Sequence, residues 1–228
     1  VYRLDPTAFT FGAAPVLQFA LNYPRGQVFT LQPGGQGEWL PWPPTFITNS
    51  PSTPWGPLGI YPQPMLGSLS FDVDGNVVLG FRDRAGDQFG FFSLDDPNSN
   101  RLFEGMSGGD TLMAAINVPG NLNSGWTLES NSVALGFGPT LGANTNQGPG
   151  GGEFFYHESF TVPNNGTLIH DELSSGAVFQ IPGFPDVMTS AFDAGLTTRT
   201  GGFLWFNKTT ANETKGYDLY LTPTTGET

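Results

Sequence analysis

The 228-residue chain contains no cysteine, so disulfide staples, thiolate metal sites and thiol nucleophiles are all excluded, and stability must come from burial and strand pairing. Positive charge is nearly as scarce. Eight Lys and Arg stand against 20 Asp and Glu, a formal net charge of −12. Such a surface repels phosphate backbones and anionic lipid, which argues against nucleic-acid or membrane-surface partners. No apolar run is long enough for a membrane-spanning helix, and no segment keeps apolar residues at helical spacing beyond about two turns. What remains is β-forming material. The chain has 32 Gly, 20 Pro and 20 Phe, with 12% charged and 14% aromatic residues, and that aromatic share speaks against disorder.

The patterning is a repeat. A strand-like run from Gly67 to Phe71, a short turn and a second run from Val77 to Asp83 align with Gly176 to Gln180 and Val187 to Asp193. Each copy continues alike, through Gly109–Ile116 and Gly125–Glu129 in one and Gly202–Asn207 and Gly216–Tyr220 in the other. Four short strands punctuated by Gly, Pro and Asn make one blade-sized antiparallel unit. Val1–Leu4 and Val16–Leu21 resemble only the outer strands of such a unit. The sequence therefore predicts an all-β chain of about two and a half four-stranded blades, part of an incomplete or multi-chain β-propeller. It divides into a half blade (1–23), a Pro/Trp-rich loop (24–65), a blade (66–131), a Gly-rich loop (132–172) and a blade (173–222). Bare strand edges invite pairing, so the expected partners are the remainder of a longer polypeptide or a neighbouring subunit. With no starting Met, the chain reads as a piece of a processed protein.

Candidate sites are few. Trp39, Trp42 and Trp55 in the first long loop are either an apolar plug or stacking platforms for a glycan. Arg82, Asp83, Arg84 and Asp87 crowd charge directly after an apolar strand, as a buried network or as an ion site at the sheet ends. If calcium binds, Asp83, Asp87, Asp110 and Glu153 are the expected oxygen ligands, because the repeat brings their segments to neighbouring strand ends. His157 and His170 with Glu153 offer a second donor set, though without a diagnostic spacing. Asp72–Asn76 begins like a calcium loop, but Asp74-Gly75 is a hairpin turn signal and the later Glu is missing. The glycines from Gly148 to Gly152 are followed by no Lys-Ser/Thr, so they suit close backbone passage rather than phosphate binding. Sequons at Asn165, Asn207 and Asn212 double as turn chemistry. No nucleophile elbow, zincin helix or kinase motif occurs.

Taken in order, Gly80–Gln88, Gly109–Leu112, Gly148–Phe154 and His170–Val178 resemble the propeller-like region of very large secreted bacterial proteins. In that group the region precedes B-type domains of the serine-aspartate-repeat adhesin kind. The resemblance implies an extracellular or cell-surface location and an adhesive or structural role, and it brings no catalytic residues. The leading expectation is an extracellular cell-surface or matrix module. A carbohydrate-binding propeller using the loop tryptophans is the alternative, and a carbohydrate-active enzyme with two close carboxylates comes third.

Overall fold

The computed structural model describes residues 1–26, 28, 37–43, 48–49, 58–90, 93–94, 97–98, 102–105, 107–156, 158–161, 166, 168–195 and 201–219. It is all-β, with one short helix, α1 (Arg84–Phe89), and one 3-10 turn at Pro149–Gly151. Strands β1 (Leu4–Asp5) and β2 (Thr10–Phe11) form an N-terminal hairpin. Short strands β3 (Thr48–Asn49) and β4 (Leu58–Ile60) precede the first long sheet strands, β5 (Pro64–Phe71) and β6 (Val77–Asp83). After α1 come β7 (Ser93–Leu94), β8 (Leu102–Glu104), β9 (Asp110–Ile116) and β10 (Trp126–Leu128). The chain continues through β11 (Ser159–Thr161), β12 (Leu168–Asp171), β13 (Ser174–Gln180) and β14 (Asp186–Phe192), ending with β15 (Gly201–Asn207) and β16 (Glu213–Asp218).

Two four-stranded antiparallel sheets carry the fold, in the orders β10-β9-β6-β5 and β13-β14-β15-β16. Each is one copy of the sequence repeat, and the strands overlap the segments the repeat assigned to them, with β16 starting three residues ahead of Gly216–Tyr220. The burial patterns show how the sheets are used. β14 and β15 alternate between buried and half-buried residues, with Val187, Thr189, Ala191, Leu204 and Phe206 turned inward. That period-two pattern is a sheet with one face in the core. β9, in contrast, is buried at every position from Asp110 to Ile116. Both its faces are covered, so it reads as a near-continuous apolar run.

One cover is the second sheet. Val78, Met113 and Ala115 pack with Phe154, Phe155, Val178, Val187 and Phe206. Strand β13 lies close over β5, where Ser68 Oγ accepts from Val178 N at 2.6 Å and Ser70 Oγ from Gln180 N at 3.3 Å. A buried hydroxyl set, Thr111, Ser174 and Thr189, also joins the two sheets, with Ser174 and Thr189 2.9 Å apart. The opposite face carries Val77, Leu79, Phe81, Leu112 and Ala114, and it is covered by Leu17, Tyr23 and Trp39. This places residues 1–23 differently from the expected half blade. Val1–Leu4 and Val16–Leu21 do not form two outer strands. The former leads into the β1–β2 hairpin, Val16 N donates to the Val1 carbonyl at 2.9 Å, and Leu17 descends onto the central sheet.

The loops hold more structure than their composition indicated. A third, mixed sheet, β3-β4-β8-β7, includes a parallel pair between β4 and β8 and draws two strands from the Pro/Trp-rich stretch. The Gly-rich stretch supplies the two-stranded β11-β12 sheet. Asp72–Asn76 is a tight turn: Asp72 Oδ1 accepts from the amides of Asp74 and Asn76, both at 2.8 Å, and Oδ2 accepts from Asn76 Nδ2 at 2.8 Å, so the carboxylate is taken up by its own turn.

Candidate functional site: a buried carboxyl cluster

Six segments converge around the first residue of β9. Asp110 is fully buried, and Tyr23 from the N-terminal cover donates its hydroxyl to Asp110 Oδ2 at 2.6 Å. Glu153, from the Gly-rich stretch, is buried as well, and its carboxyl and that of Asp110 act on each other. Glu129 follows β10, Glu158 precedes β11, and Glu172 links β12 to β13; these three and Glu153 are 1–2% exposed. Glu158 Oε2 accepts from Ser174 N at 2.8 Å. Among the described residues, no donor in hydrogen-bonding geometry reaches Asp110 Oδ1, either carboxyl oxygen of Glu129, Glu153 Oε1, Glu158 Oε1 or Glu172 Oε2.

Desolvation governs the electrostatics here. Burial is the largest cause pushing the carboxyls of Glu129, Glu153 and Glu172 well above the ordinary range, and it pushes Glu158 up to about 8. Neighbouring acids add to it: Glu172, Asp110 and Glu158 act on Glu153, and Asp171 and Glu158 act on Glu172. Burial also raises Asp110, against the hydrogen bond from Tyr23. Tyr23 itself is raised well above its usual value, first by burial and then by Asp110. Chemically, the cluster gathers buried carboxyls whose charged forms desolvation disfavours.

The expected site residues are distributed around this cluster rather than gathered in one place. Asp110 and Glu153 meet in it. Asp83 stands at its margin, 2% exposed and 3.8 Å from Arg25. Asp83 Oδ1 caps α1 by accepting from Ala85 N and also accepts from Gln63 N, both at 2.9 Å. Asp87 faces outward, paired with Arg82 at 2.9 Å and accepting from Ser107 Oγ. The four candidate calcium ligands thus do not share one point, and among the described residues no three His, Asp or Glu side chains are arranged to hold a metal ion. The charge network separates in the same way. Arg82 and Asp87 form an ion pair near the surface, whereas Arg84 stacks 4.8 Å over the Trp42 ring and reaches Gln63 Oε1.

The tryptophans divide too. Trp39 is 3% exposed, with Arg25 lying 5.1 Å over its ring; Trp42 is 54% exposed; and Trp55 lies outside the described residues. His170 is tied to Asp193, Nδ1 to Oδ2 at 2.6 Å, and His157 lies outside the described residues. Gly148 sits against Glu153, where a Cβ would come within 2.9 Å of the Glu153 Cα, so this glycine does serve close backbone passage. Asn207 Oδ1 accepts from the amides of Thr209 and Thr210, which is turn chemistry; Asn165 lies outside the described residues. Glu129, Glu158 and Glu172 escaped sequence reasoning. In a chain with 20 acidic residues, three carboxylates spread over more than forty positions give no spacing signal.

No family model matches the chain. It is similar to three proteins of Dictyostelium discoideum. Colossin-A is 30% identical over 224 residues, which cover 97% of this chain and 2% of that protein. Colossin-C is 26% identical over 238 residues, covering 100% of this chain and 20% of that protein. Colossin-B is 31% identical over 203 residues, covering 85% and 5%. This chain thus spans between 2% and 20% of the length of these relatives. No solved structure matches. These findings overturn the resemblance to large secreted bacterial proteins with serine-aspartate-repeat-type domains: the relatives found are eukaryotic colossins.

Proposed function

We propose that this chain is an extracellular structural module, an adhesive or spacing unit within a longer polypeptide. The observation that carries the reading is the stack itself. Two repeated four-stranded sheets pack face to face, and the middle one is covered on both sides, so the unit is rigid without help from disulfides. Face-to-face stacking is also how neighbouring blades meet, so further sheets from flanking chain or from a neighbouring subunit would extend it toward a propeller or filament. Nearly the whole of this chain matches three relatives of which it is only 2%, 20% and 5%, as expected of a unit reused in long chains. Antibody raised against the purified chain is expected to label intact, unpermeabilised cells or their surrounding matrix. Label confined to permeabilised cells would overturn the proposal.

Glycan binding survives as a second reading on one residue. Trp42 is exposed, its Nε1 donates to the Pro64 carbonyl at 2.8 Å, and Arg84 stacks on one ring face, so the ring is held in place at the surface. Trp42→Ala is expected to change stability by less than about 1 kcal/mol, because an exposed cation–π contact is worth about that much at most. If the lectin reading is right, the same variant abolishes any glycan retention measured on an array. Unchanged retention removes Trp42 from it.

A further inference from the structure

We propose that the carboxyl cluster around Asp110 locks the fold with protons, so that the module is firm in acid and loosens as the pH rises through neutrality. The geometry requires it. Five carboxyls, Asp110, Glu129, Glu153, Glu158 and Glu172, are 0–2% exposed and brought together from β9 and the ends of four other segments. Among the described residues one buried guanidinium, Arg25, faces them, and it lies nearest to Asp83. The other described groups that act on the cluster are acidic or phenolic: Tyr23 from the N-terminal cover, Tyr156 from the Gly-rich stretch and Asp171 from β12. Five ionised carboxylates cannot be compensated by a single cation in a dry site, and an uncompensated buried charge neutralises instead. The second observation is the set of bare oxygens: both of Glu129 and one each of Glu153, Glu158 and Glu172 find no donor, as expected where the missing hydrogens are the acids' own.

The direction of the effect follows from linkage. In the unfolded chain a Glu releases its proton near 4.5, whereas folded Glu158 keeps it to about 8. Between those values the folded state binds more protons than the unfolded one, so stability falls as pH rises, and above about 8 the contribution of Glu158 is gone. Below 4.5 both states are protonated and this contribution is fully present. Glu129, Glu153 and Glu172 shift in the same direction, so their contributions act in the same sense.

The test is a series of thermal melts of the 228-residue chain from pH 4.5 to 8.5, with EDTA present so that no cation substitutes for protons. The melting temperature is expected to fall by about 10 °C or more between pH 5 and pH 8. Glu129→Gln and Glu172→Gln copy the protonated form in shape. Each is expected to melt near the parent at pH 5 and above it at pH 8, whereas Asp87→Asn, on the surface, leaves the slope unchanged. A parental melting temperature that is flat or rising over this range overturns the proposal, whether or not the variants fold. Gln variants that melt below the parent at pH 8 overturn it as well. The outcome is independent of where the protein resides, so it stands or falls apart from the extracellular reading.

Discussion

Asp83→Ala is expected to cost about 3 kcal/mol or more and to lower the melting temperature by roughly 10 °C, whereas Asp83→Asn costs far less. Sequence alone suggested a charge network as the reason. The structure points to the acceptor instead. Asp83 Oδ1 takes the amides of Gln63 and Ala85, each at 2.9 Å, and both contacts are buried. Leaving a buried donor unsatisfied costs about 1–3 kcal/mol, and loss of the helix cap is one of these two penalties seen from the other side. Arg25, 2% exposed, would also lose its nearest carboxylate. Yet burial outweighs Arg25 and pushes Asp83 up to about 6, so the negative charge itself is not what the fold prefers there. Asparagine keeps the accepting oxygen and drops the charge. The sign is then fixed. With a folded value near 6 against an unfolded value of 3.8, Asp83 makes stability fall between those pH values, and Asp83→Asn removes that fall. Urea melts of the three proteins at pH 4 and pH 7 separate the two accounts. If Asp83→Asn is as damaging as Asp83→Ala at pH 7, the charge matters and the acceptor argument fails.

The difference between those two accounts marks where sequence reasoning stops. The repeat exposed eight strands because period-two alternation and Gly/Pro punctuation are local properties of the chain. In the structure, alternating burial marks Val187–Phe192 as one-faced and continuous burial marks Thr111–Ile116 as covered on both faces. Strands of two or three residues, such as β3, β4 and β7, are too short to show a period, so the mixed third sheet was invisible in a Pro-rich stretch. Asp110 was legible because the repeat puts its segment at a strand end beside another such end. Glu129, Glu158 and Glu172 lie in connections, and only the tertiary path of the chain carries them inward. Burial also decided between the two readings of Trp39: it is a plug over Phe81, the rings 6.5 Å apart, and not a platform.

The distance between the two stacked sheets is set by glycine, and Gly80→Ala should show it. In β6, a methyl group at Gly80 would come 2.4 Å from the carbonyl oxygen of Gly176 on β13 and 2.7 Å from its carbonyl carbon. That obstacle is backbone within a strand, so no side-chain rotation relieves it. Gly176 cannot easily retreat either. It holds φ +80, a conformation L side chains rarely adopt, and a Cβ of its own would meet Arg82 Cγ at 2.3 Å. A Cβ at Gly67 would likewise come 2.7 Å from the same carbonyl oxygen. The substitution must therefore part the sheets or bend β13, breaking the Ser68 and Ser70 contacts to Val178 and Gln180. Overpacking of this kind costs about 1–3 kcal/mol where neighbours can yield, and here the neighbours are main chain, so the upper end or beyond is expected. Gly201→Ala is the matched control: it also lies in a strand, and its added Cβ meets nothing within 4 Å. That change should be neutral or stabilise by up to about 1 kcal/mol through the unfolded chain. Chemical denaturation of both variants decides the point. Equal stability of Gly80→Ala and Gly201→Ala would mean that the sheets are not in close backbone contact, and the face-to-face stack on which the structural role rests would go with it.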